Sequence, residues 1–269
     1  MVKHVFSFLK KIAFISLALI FTILMLYMPA FAAAKGGLTK NIEIETKDKV
    51  LLEGIIELPK SATAKHKVPL VIMLHSLGSR KEVYNSFVED LRSRGIASVR
   101  FDLRGHGESI GNSVNNRKTY WQQYSNKTFQ KYPDDIITVL DFIKDNFQQV
   151  DTNKTAIIAA DISANSSILA ANNKIKTLVL LSPCIDFKGI KTSVKLVDYG
   201  NHPILFIVSK KDKFGYYQSS ELIKYAQGKK VLKVLDFGGM GDRIIKLNPS
   251  AKVVILQWID ENFKGYVNK

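Results

Sequence analysis

Cysteine is all but missing from this chain of 269 residues: Cys184 stands alone, so no internal disulfide can staple the fold. It is not placed after the N-terminal apolar run, as an acylated lipoprotein cysteine would be, and it reads as a buried core thiol. Histidine is scarce too. Only His4, His66, His75, His106 and His202 are available for any proton-transfer scheme. Arginine-rich or aromatic-interleaved stripes are lacking, and the basic pairs at 210–211 and 229–230 are short, which argues against a nucleic-acid partner. Repeats and low-complexity tracts are absent as well, so neither an array nor a disordered chain is expected.

What is present is a core-forming composition, 46% hydrophobic, with a net charge of +15. Residues 1–32 hold three of the lysines and no acid, which leaves the remainder at +12. That balance favours an anionic envelope surface as a partner, although the lysines are scattered as solvated charge. The N-terminus combines Lys3, Lys10 and Lys11, an uncharged apolar run from Ile12 to Met28, then Pro29 and the small-x-small pattern Ala30-Phe31-Ala32. This is the pattern of a signal peptide cleaved after Ala32. The rival reading is an uncleaved membrane anchor, since residues 12–34 are long enough to span a bilayer. Either way, residues 33–269 are expected to form a single domain outside the cytoplasm.

Along that domain, residues 41–46 and 50–58 alternate apolar with polar around "KDK", as a β-hairpin does. Short apolar runs follow at 69–74, 96–101, 155–160, 177–182, 203–209 and 230–237. Such runs suit strands buried on both faces. Helical patterns separate them over Val83–Arg94, Asp134–Phe147, Ile162–Asn172, Tyr217–Gln227 and Ser250–Phe263. The alternation predicts an α/β fold: a mostly parallel, eight-stranded sheet with helices on both faces. Function in such sheets collects at the carboxyl ends of the strands.

Three strand ends carry motifs: "HSLGSR" after 69–74, "DLRGHGES" after 96–101 and "ADISANS" after 155–160. With "YPDDI", "LVLLSP" and "PILFIVSKKD" downstream, the order and spacing resemble the α/β-hydrolase superfamily, in particular its exported esterase-like members, from about residue 40 to the C-terminus. The resemblance implies a nucleophile at the centre of a strand-to-helix elbow, where the window Ala159-Ala160-Asp161-Ile162-Ser163 puts Asp161 in place of serine. It implies an acid at Asp212 and a histidine in the turn 238–243, where Met240 stands instead. The oxyanion donors it implies come from the loop His75-Ser76-Leu77 and from Ile162. No cofactor or metal is implied.

These substitutions bear directly on chemistry. A serine hydroxyl needs an imidazole to take its proton, and methionine has no titratable group. A carboxylate is already nucleophilic, yet hydrolysis of the resulting ester still needs a base to activate water, for which only His75 and His106 lie on the correct edge. Three alternatives therefore stand: a catalytically silent binding or scaffold module, an active hydrolase that uses Asp161 with one of these histidines, and an electrostatic envelope-binding protein that uses the basic surface. Asp161 also precedes a helix, where an aspartate serves as an N-cap, and the oxyanion amides would suit its carboxylate as a resident anion. Only about twenty residues separate the runs 177–182 and 203–209, so a minimal cap and an open, shallow cleft for a small acyl or other apolar ligand are expected.

Overall fold

The computed structural model describes residues 36–115 and 117–267, side chains being described to Phe263. The segment 1–32, expected above to be a signal peptide or an anchor, lies outside the described residues. Ten strands run in chain order: β1 (Gly37–Glu45), β2 (Leu51–Pro59), β3 (Val68–Leu74), β4 (Ala97–Phe101), β5 (Val150–Ala160), β6 (Ile175–Leu181), β7 (Asp186–Phe187), β8 (Ile190–Lys191), β9 (Ile204–Ser209) and β10 (Lys230–Leu235). Eight of them make one sheet in the order β1-β2-β4-β3-β5-β6-β9-β10. In this sheet strand β2 pairs antiparallel with both β1 and β4, and the remaining pairings are parallel. The expected eight-stranded, mostly parallel sheet is therefore the observed one. The small hairpin β7-β8 and the helix Ser193–Asp198 fill the segment between β6 and β9, in keeping with a minimal cap.

The continuous apolar runs are explained by burial on both sides. Leu70, Ile72 and Leu74 of β3 face one core, which the helices Tyr132–Asn146 and Ile162–Ala170 cover with Ile136, Val139, Ile143 and Ile168. The alternate residues Val71 and Met73 face a second core, covered by Tyr84, Phe87 and Leu91 and by Ile255, Ile259 and Phe263 of the C-terminal helix. A side chain turns over at each step along a strand, so both layers draw on the same short run.

Two helices depart from the hydrophobic period. The first opens as a 3-10 turn, Lys81–Phe87, and becomes α-helical only over Val88–Ser93. The helix expected from Tyr217 starts at Lys213 and ends at Leu222, because the Asp212 carboxylate captures the Gly215 amide at 2.9 Å and caps it early. Among the described residues no helix is long and apolar enough to cross a membrane.

Candidate functional site

Strand β5 ends in an elbow. Asp161 sits between β5 and the helix Ile162–Ala170 with φ 57° and ψ −120°, a left-handed conformation that a non-glycine residue holds at a cost of order 1–3 kcal/mol. Ser163 secures this turn. Its single hydroxyl proton is shared between the carbonyls of Leu74 and Ala160, and its oxygen accepts from the Ala160 amide at 3.0 Å, tying the elbow to the end of β3. With its oxygen so engaged and fully buried, Ser163 is no displaced nucleophile.

The strained backbone decides where the Asp161 carboxylate goes. It makes no N-cap bond into the first turn of its helix, where only the adjacent Ile162 amide bears on it, which corrects the N-cap expectation. One oxygen instead accepts from the Leu77 amide at 3.3 Å, so the "HSLG" loop does supply a backbone donor to this position. Asp161 is only 3% exposed, so its carboxyl lies below the surface at this elbow. Burial pushes its carboxyl up to about 7, the amides of Leu77 and Ile162 pull it down, and the negative charges of Asp242 and, after it, Asp212 push it up again.

The turn after β10 packs against the elbow. Gly238, Gly239 and Gly241 all have positive φ, a path open to glycine at little cost, and it presses Gly241 against the elbow. A Cβ on Gly241 would lie 2.2 Å from Ser76 Oγ and 3.1 Å from Asp161 Cβ. Its amide donates to Ser182 Oγ at 3.1 Å. Next to it, Asp242 and Ser76 form a reciprocal clamp: the Ser76 amide donates to the Asp242 carboxylate, and the Asp242 amide donates to Ser76 Oγ, both at 2.9 Å. Met240 points elsewhere and is 40% exposed. The residues that turn 238–243 brings to the elbow are thus Gly241 and Asp242, which the sequence reading passed over in favour of Met240. A glycine-rich turn after the last strand was the one signal available for them.

Asp212 caps its helix through Oδ1, while Oδ2 is buried and has no hydrogen-bond partner among the described residues. Such an acceptor at the acid position is where the N–H of a family histidine would bond. The two histidines on this edge are committed elsewhere. His75 Nε2 accepts from the Leu103 amide at 3.0 Å, so its proton sits on Nδ1 and is donated to the Ser76 carbonyl at 2.8 Å. His106 Nε2 accepts from the Gly78 amide at 2.9 Å, and its ring stacks on Trp121. Burial holds both in the neutral form, lowering His75 and taking His106 down to about 4, the latter helped by the neighbouring His75. Each basic lone pair already receives a backbone N–H. Neither is free to take a proton from water. Cys184 is buried with its thiol pushed up to about 12 by burial, an inert core sulfur. Among the described residues no group of three or more metal-ligating side chains converges.

A strained strand-to-helix elbow at the carboxyl edge of this sheet, facing an oxyanion-type amide and an acid loop, defines a hydrolase-fold protein. Residues 65–197 match the family described as serine aminopeptidase, S33. Solved structures with the same architecture include an acetyl xylan esterase from a Paenibacillus species, 13% identical, with 85% of each chain covered and a TM-score of 0.68. A dienelactone hydrolase from Anabaena variabilis is 16% identical over 86% of this chain and 99% of its own, with a TM-score of 0.65. An esterase from Pyrococcus furiosus is 18% identical over 84% and 93%, with a TM-score of 0.64. Identities this low make the likeness one of fold. No curated protein sequence matches the chain. The chain has the α/β-hydrolase fold, and residues 65–197 of it are similar to that family.

Proposed function

We propose that this chain is an exported α/β-hydrolase-fold protein that has lost Ser-His-Asp turnover and serves as a binding or scaffold module in the cell envelope. The observation that carries this reading is the Asp161 carboxylate in the nucleophile seat, holding the Leu77 amide. An amide so occupied cannot at the same time stabilise the oxyanion of a substrate. Three further features support it. Asp212 Oδ2 is buried without a partner among the described residues, Met240 offers no base, and both His75 and His106 spend their basic nitrogens on backbone amides. Esterase-like neighbours account for the scaffold, whose chemistry is set by the residues placed on it.

Hydrolysis of p-nitrophenyl acetate and butyrate tests the reading. The protein is expected to give no turnover above background. Saturable turnover that disappears in Asp161→Ala would overturn it and point to an aspartyl intermediate.

Export rests on the lysines, apolar run and Ala30-Phe31-Ala32 pattern of the N-terminus. Intact-mass measurement of the protein from its native host is expected to give a chain beginning at Ala33. Recovery of a full-length, membrane-associated chain would replace the cleaved signal with an anchor.

A further inference from the structure

A cavity of about 640 Å³ lies on the outer side of the clamp, between the turn that starts at Ser79 and the short helix Arg243–Leu247. Three cationic side chains line it, Arg80 from one wall and Arg243 and Lys246 from the other. Among the described residues none of the three has a hydrogen-bond or ion-pair partner for its side chain, and all three are exposed. Two carboxylates share the walls: Asp242 is held by the Ser76 amide, and Glu82 is exposed, 3.5 Å from the Lys81 ammonium, so the three cations leave the cavity one positive charge in excess. Like charges brought together from two segments far apart in sequence repel one another, and a shared anion relieves that repulsion. Paired guanidinium forks match the tetrahedral oxygens of a phosphate group better than they match any neutral ligand.

We propose that this cavity binds a phosphate-bearing anion through Arg80, Arg243 and Lys246. The site shares Asp242 as a wall with the buried elbow but does not depend on whether Asp161 is catalytically silent. A small phosphorylated solute and a phospholipid headgroup would present the same chemistry, and the experiment separates them.

The full chain in mild detergent is titrated with inorganic phosphate and with glycerol phosphate by calorimetry, and is tested for co-flotation with phosphatidylglycerol vesicles against phosphatidylcholine. Saturable binding to the dissolved phosphates is expected, weakening as salt rises and at least tenfold weaker in Arg80→Gln and in Arg243→Gln. Lys211→Gln, with the same loss of charge at an exposed position outside the cavity, should leave it unchanged. If the two arginine variants lose an excess of binding to phosphatidylglycerol while the dissolved phosphates bind weakly, the ligand is a headgroup and the site stands. Absence of binding in every arm, or equal weakening by Lys211→Gln, would overturn it. The altered side chains are exposed, so an unchanged unfolding temperature in buffer certifies the variants.

Discussion

Replacing Asp161 by asparagine is expected to stabilise the protein by up to about 4 kcal/mol at pH 8 and to change its stability little at pH 4. The carboxyl lies at 3.8 in an ordinary environment and at about 7 in the fold, chiefly because burial penalises the charge. Between those two values the folded state holds a proton that the unfolded chain has released. Stability contributed by the protonated acid is therefore present below about pH 4, falls as pH rises, and is fully lost once pH passes 7. Asparagine keeps the shape and an oxygen for the Leu77 amide but has nothing to ionise. Other shifted groups, such as Asp135 raised to about 6 by burial and His106, titrate in both proteins and cancel in the difference. Denaturant unfolding of both proteins from pH 4 to 8 checks this. A difference that stays constant over that range would mean that the Asp161 carboxyl is not buried as described.

The same residue marks how far the sequence could be read. Strand count and sheet polarity were legible because short apolar runs and strand-end motifs are local signals, and the resemblance those motifs carry then pointed to the elbow at Asp161 and to Asp212. The direction of the Asp161 carboxylate was not. A residue before a helix is expected to cap it, and only the positive φ of the elbow turns the side chain toward Leu77 instead. The clamp was harder still, because Ser76 and Asp242 are 166 positions apart and neither belongs to a periodic segment. His75 and His106 could be assigned to the correct edge, but their backbone partners exist only once the loops are folded. Motif spacing thus finds which residues meet at a strand end. It does not say which of their lone pairs remain free.

Close packing of Gly241 against the elbow leads to the second large effect: Gly241→Ala is expected to cost about 3 kcal/mol. Left-handed backbone charges any residue with a Cβ roughly 1 kcal/mol, and overpacking a filled site adds about 1–3 kcal/mol more. The φ of +58° supplies the first part, and the Cβ position 2.2 Å from Ser76 Oγ supplies the second. Ser76 cannot yield without loosening its bond from the Asp242 amide, so the turn 238–242 should lift from the elbow. Water would then reach Asp161 and bring its carboxyl down toward the usual range, which shrinks the pH-dependent gap between the Gly241→Ala protein and its Asp161→Asn derivative. Gly200→Ala separates the two contributions, because Gly200 has a similar φ of +68° but open space where its Cβ would go. That variant should lose only about 1 kcal/mol, the backbone part alone. Equal losses at the two glycines would show that the turn does not press on Asp161. A larger loss at Gly241, together with a lowered Asp161 titration, would identify this turn as what keeps the nucleophile seat dry.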